Sequence, residues 1–182
     1  MQPHEQLKLN EQLFSAISCL NKKEVDELLL KGAQINGKTT WMGYWWDLVF
    51  PQGIEAVKMA LNIGVDLSLL DEDLEETAVS AATQDPDILN FLLQSTGSIK
   101  SISIEPTLLH KEALHGDMDI IKVLLKYATI EDLKTKDIYG DTPLDIALEA
   151  GHSECVALLK TAEQRLTEKE RKRGQSKVTP LV

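Results

Sequence analysis

The chain has 182 residues, 43% apolar and 26% charged, which is the size and composition of one ordinary globular domain. No apolar run approaches the roughly 20 residues that cross a bilayer, and Met1-Gln2-Pro3-His4-Glu5 shows no basic segment leading into an apolar one, so neither a membrane span nor a Sec signal peptide is expected. The net charge is −10, and residues 163–182 hold six cations against three glutamates, which leaves −13 on residues 1–162. An acidic body repels phosphate backbones; this argues against nucleic acid and for a protein partner with a basic surface.

Taken in chain order, residues 1–8 read as an N-terminal arm. Leu13, Ala16 and Ile17 then supply the i, i+3, i+4 spacing of one helix face, and Asn21 marks a turn. The next helix carries Val25-x-x-Leu28-Leu29. That motif returns as Val57-x-x-Ala60-Leu61, Leu89-x-x-Leu92-Leu93, Ile121-x-x-Leu124-Leu125 and Val156-x-x-Leu159, at three steps of 32 residues and one of 35. In the last unit Leu144, Ala147 and Leu148 form the preceding helix, and Gly151 breaks the chain. The unit is therefore helix, tight turn, helix, loop. Neither helix can bury its apolar face alone, and stacked neighbours bury a continuous core.

Asp141-Thr142-Pro143-Leu144-Asp145-Ile146-Ala147 followed by Gly151-His152-Ser153-Glu154-Cys155-Val156 resembles the signature of the ankyrin-repeat family. Thr107-Leu108-Leu109-His110 with Gly116-Asp117-Met118-Asp119-Ile120-Ile121 is a second copy. Leu29-Leu30-Lys31-Gly32-Ala33-Gln34-Ile35-Asn36 is similar to the family's end-of-repeat segment, and Ile63-Gly64-Val65-Asp66-Leu67 repeats it. The resemblance implies an all-α solenoid of about five stacked helix-turn-helix units with loop or β-hairpin fingers. The domain spans residues 9–162, with units at about 9–36, 37–68, 69–104, 105–136 and 137–162. Residues 163–182 form a charged helical extension that becomes disordered from Gly174. The resemblance further implies Thr142 as a helix N-cap, Pro143 as the first helical residue and Gly151 in the left-handed conformation. His110 and His152 would make structural hydrogen bonds.

Several positions depart from the pattern. Gly43-Tyr44-Trp45-Trp46 replaces Thr-Pro-Leu-His in the second unit. The third unit is about two residues short before Pro86, so its turn must be irregular. Segment 97–105, where serines alternate with isoleucines, reads as either a short extended stretch or a loop. Glu112 falls where the family buries an alanine; either the helix shifts so that Ala113 packs instead, the favoured alternative, or Glu112 is exposed at a widened groove. Lys160 stands where other units have a second leucine, as suits a terminal capping repeat.

No catalytic constellation appears: there is no glycine-rich phosphate loop, no His-Glu-x-x-His and no Cys-x-x-Cys. Cys19 and Cys155 read as two reduced thiols acting as small apolar residues in a cytoplasmic setting. The expectation is a monomeric, non-enzymatic protein-binding module, without cofactor or metal, that does not act on membranes and grips its partner through a concave face. The alternative is a microbial ankyrin protein serving as a host-directed effector or as an immunity protein that blocks a toxin. Candidate partner-binding residues are the aromatics Trp41, Tyr44 and Trp46 and the acidic finger Asp71, Glu72, Asp73, Glu75 and Glu76. Trp45 is expected in the core. Exposed Trp and Tyr are favoured anchors, although Trp41 and Trp46 read equally well as packing residues; the acidic run reads as a solvated loop or, alternatively, as a negative patch that would steer a basic partner. Lys169 to Arg173 is a short basic run that reads as a solvated helix end ahead of a nuclear-import or anionic-surface motif.

Overall fold

Each repeat in the computed structural model, which describes residues 2–38, 44–67, 69–71, 76–96, 99 and 107–176, is a pair of helices joined by a tight turn. Among the described residues the first pairs are α1 (Pro3–Ser18) with α2 (Lys22–Leu30), α3 (Trp45–Val49) with α4 (Ile54–Asn62), α5 (Ala78–Ala81) with α6 (Pro86–Thr96), and α7 (Leu108–His115) with α8 (Met118–Tyr127). A short helix α9 (Ile130–Lys134) follows, and then a fifth pair, α10 (Pro143–Glu149) with α11 (Ser153–Ser176). Two short strands, β1 (Leu70–Asp71) and β2 (Glu76–Thr77), pair antiparallel ahead of α5, with Leu70 opposite Thr77 and Asp71 opposite Glu76. The fold is thus all-α, with a hairpin finger. The chain divides into two compact units, residues 1–92 and 93–182.

In the first unit the repeat periodicity becomes burial. Leu13, Phe14, Ala16 and Ile17 of α1 are buried, as are Val25 and Leu28 of α2 and Val57 and Ala60 of α4. Helix α1 starts earlier than expected. Pro3 occupies its first position, and the Glu5 carboxylate accepts the Gln2 amide at 2.9 Å, so residues 3–8 are the opening turns of the helix and not an arm. At its end Leu20 takes φ 53°, a region an L-residue with a side chain enters only at a cost. Asn21 then caps α2 by accepting the Glu24 amide. Cys19 is exposed at this helix end and is not the small core residue expected; Cys155 is buried.

Asn10 is a buried amide with partners on both its oxygen and its nitrogen. Its Oδ1 accepts the Gln34 backbone amide at 2.8 Å and the Gln6 side chain at 3.0 Å, while its Nδ2 donates to the Lys38 carbonyl. The loop after α2 is thereby tied down to α1. Asn36 carries the tie to the next repeat, accepting the Asp66 amide at 2.7 Å. The shortened third unit has the irregular turn its length demands: Ala82–Gln84 form a 3-10 turn, Asp85 is extended, and its carboxylate accepts the Asp87 and Ile88 amides to start α6.

In the second unit α7 packs against α10, and α8 against α11. Two histidines join these pairs. A carbonyl can only accept, so His110 Nε2–H donates to the Asp141 carbonyl at 3.1 Å and His152 Nε2–H to the Leu114 carbonyl at 2.9 Å. Gly116 ends α7 at φ 73°, and a Cβ there would meet the His152 ring at 2.7 Å. Gly151 is left-handed at φ 76°, as expected. Thr142 caps α10 through the Asp145 amide, the Asp145 carboxylate returns to the Thr142 amide, and Pro143 sits at the first turn. The 35-residue step is explained by α9, whose Thr129 and Asp132 form a second capping box and whose Ile130 and Leu133 are buried. Helix α11 is packed through Leu159, Ala162 and Leu166 and continues to Ser176, past Gly174 where order was expected to end. The 97–105 segment, Ile99 apart, and residues 177–182 lie outside the described residues.

Candidate functional site

The aromatic cluster turns inward. Trp45 is 1% exposed, as expected of a residue in the buried leucine slot. Trp46 is equally buried and Tyr44 nearly so, which overturns their expected role as exposed anchors. The cause is mutual packing. The Tyr44 and Trp46 rings stack with centroids 4.6 Å apart and planes 3° apart, and Trp45 meets Trp46 and Phe50 edge-on at 5.8 and 5.6 Å. Two adjacent helical residues can both be buried here because α3 has only five residues and gives way at once to a 3-10 turn over Phe50–Gln52. Neither indole N–H of Trp45 or Trp46 has a hydrogen-bond partner among the described residues. Trp41, Glu72, Asp73 and Glu75 lie outside the described residues; of Asp71 and Glu76 the backbone pairing in the hairpin is described.

The most exposed large apolar pair lies elsewhere, on the finger that precedes α10. Ile138 is 73% and Tyr139 82% exposed. The tip carrying them is locked from below. The Asp137 carboxylate accepts the Tyr139 amide at 2.9 Å and the Asp141 amide at 3.0 Å, and the Asp137 amide donates to the Asp141 carbonyl. Those backbone donors, Asp141 first, hold the Asp137 carboxyl below the usual carboxylate range. His110 grips the Asp141 carbonyl beneath the tip. On the first helices, Leu114 of α7 and Leu148 of α10 are also more than half exposed. The sequence reasoning missed Ile138 and Tyr139. The signal was present, two large apolar residues inside an Asp-x-x-Gly-Asp turn that needs neither for its geometry.

Glu112 matches neither of the alternatives foreseen. Ala113 packs, fully buried, yet Glu112 is 6% exposed as well. Burial pushes its carboxyl above the usual range, opposed by His115, whose Nδ1 lies 3.9 Å from the carboxylate. Among the described residues no group of three or more His, Cys, Asp or Glu could hold a metal ion, and no helix is long and apolar enough to cross a membrane.

Helix pairs joined by histidine–carbonyl hydrogen bonds, with an exposed hydrogen-bonded turn ahead of the last pair, define a helical-repeat scaffold. A family model described as ankyrin repeats, in three copies, matches residues 77–170, more than half of the chain. The chain belongs to the ankyrin-repeat family, whose repeats generally mediate protein–protein interaction. The match takes in the third to fifth helix pairs; the first two pairs, where the Thr-Pro-Leu-His motif is replaced, lie outside it.

Proposed function

We propose that this protein is a non-enzymatic binding module that grips one partner protein through its finger loops and first helices. The observation that carries this is the Ile138–Tyr139 tip: two large side chains in solvent on a turn whose backbone is fixed by Asp137 and His110. A rigid aromatic loses little entropy on binding, which makes it an efficient anchor. Leu114 and Leu148 are further exposed apolar side chains on the first helices of the same unit. The five carboxylates of Asp71 to Glu76 and the −13 charge of residues 1–162 support a partner with a basic surface, and the antiparallel pairing of β1 with β2 supports a finger there. Trp41 is a second candidate anchor, in the first unit, where Tyr44 and Trp46 serve as core. Binding kinetics with the partner separate the two contributions. Tyr139→Ala should raise the dissociation rate and cost on the order of 2 kcal/mol of affinity. Neutralising Asp71, Glu72 and Asp73 together should lower the association rate at low salt and have little effect at high salt. A partner indifferent to both sets of changes would rule this surface out.

A further inference from the structure

Eight of the 19 basic residues of this acidic chain lie on the second helices of the C-terminal unit, α8 and α11. Between α8 and α11 runs a groove of about 170 Å³ lined by Lys122, Leu125, Lys126, Leu158, Ala162 and Arg165. A second hollow starts at the same Arg165 and follows α11 past Lys169, Lys172 and Arg173. Leu125 and Ala162 are buried and make an apolar floor, Leu158 is half-buried, and the cations stand exposed along the sides. Arg165 is held in place across the groove, donating to the Leu125 carbonyl at 3.1 Å. That carbonyl lies in the last turn of α8, where carbonyls run out of intrahelical partners, and the Thr129 amide that a longer helix would offer it is turned to Asp132 instead. Asp119 pairs with Lys122 at 3.1 Å, and Glu168, which also lines the second hollow, pairs with Arg171 and Lys172 at 2.8 and 3.4 Å.

We propose that this track docks an acidic segment of a partner protein, with carboxylates on Lys126, Arg165 and Lys169 and one apolar side chain seated on Leu125, Leu158 and Ala162. Charge complementarity selects an anionic occupant, and the apolar floor between two helices selects a peptide over a uniform anionic sheet. Glu163 and Glu170 interrupt the basic run that a flat membrane would have to cover, and the net charge of −10 opposes a nucleic acid. The surface is separate from the finger and first-helix surface proposed above, so one module can hold two partners of opposite charge.

The test uses a set of fluorescein-labelled synthetic peptides in which one Leu or Phe stands in a run of Glu and Asp, read by fluorescence anisotropy against the full chain. Peptides of this kind should bind at low salt and be released as salt rises. Replacing the apolar residue by Gly should weaken binding several-fold. The double variant Lys126→Glu/Lys169→Glu, at two exposed positions, should weaken it roughly tenfold or more with an unchanged circular dichroism spectrum. The proposal is overturned if no peptide binds, if the double variant binds as wild type does, or if phosphatidylserine vesicles or a DNA duplex are bound more tightly than every peptide.

Discussion

The second and fifth repeats hold the same helix-turn-helix shape by different physics. In the fifth, local backbone chemistry sets the first helix: Thr142 and Asp145 exchange hydrogen bonds, Pro143 fixes the first turn and Gly151 ends it. In the second, α3 has five residues, and its start is served by the Asp47 carboxylate on the Tyr44 amide at 2.9 Å. A helix that short has no stability of its own. Bulk burial replaces capping there, with Tyr44, Trp45, Trp46 and Val49 all inside. A repeat can therefore lose its signature and keep its geometry, provided that large side chains make up in area what the backbone lacks in caps.

The sharpest way to break that comparison is Trp45→Ala. Removing a buried indole from a helix with little else to hold it should cost roughly 3–5 kcal/mol in urea unfolding. Trp46→Phe keeps most of the area and deletes an N–H without a partner among the described residues, so it should stay within about 1 kcal/mol of wild type. Equal losses for the two would show that hydrogen bonding, not burial, holds this repeat. Next in size comes Leu124→Ala in α8. Leu124 is wholly buried, and the change should cost about 2–5 kcal/mol, whereas exposed Lys160→Ala should stay within about 0.5 kcal/mol. Thr142→Ala tests the other half of the comparison and should cost about 1 kcal/mol through loss of the cap. Its loss also removes one of two donors on Asp145, whose carboxyl is held below the usual carboxylate value by the Thr142 hydroxyl and amide. The wild type should lose that stabilisation as pH falls below 3.8, and the variant should have less to lose.

The smallest effect belongs to Glu112. Because the folded chain binds this proton more tightly than the unfolded chain, burial of the carboxylate costs stability at neutral pH. The cost shrinks as pH falls through the raised folded value and is gone below the ordinary 4.5. Glu112→Gln should raise Tm at pH 7, and the gain should shrink toward pH 4.5. A gain that does not depend on pH would mean that charge burial is not its source.

Much of this molecule was legible in its residues, and the failures have common causes. Apolar spacing located the described helix pairs because burial on one face is a period that sequence carries directly. The Thr142 box, Gly151 and the two bridging histidines were legible through the family resemblance: Thr142 caps its own helix, Gly151 takes a positive φ because it lacks a side chain, and each histidine reaches a carbonyl of the neighbouring repeat. The short turn before Pro86 could be counted. Side-chain direction in α3 could not, since Trp46 is drawn inside by its stack on Tyr44, and helical periodicity fails in a helix of one turn. Glu112 was misjudged for a related reason: spacing says which of two neighbours should pack, but not that both can. The start of α1 at Pro3 was readable from Pro3 and Glu5 and was overlooked because the family pattern begins later. Ile138 and Tyr139 fill no structural slot, so neither periodicity nor capping carries a sign of them.

The most direct test of the binding role compares what two baits retain from the native lysate: the wild-type chain, and Ile138→Ser/Tyr139→Ala, with equal melting temperatures confirmed first. The exposure of both side chains predicts that the variant folds as well as wild type and loses the main retained protein, while Lys160→Ala retains it. Retention of the same protein in equal amount by the finger variant would contradict the assignment of this tip as the anchor.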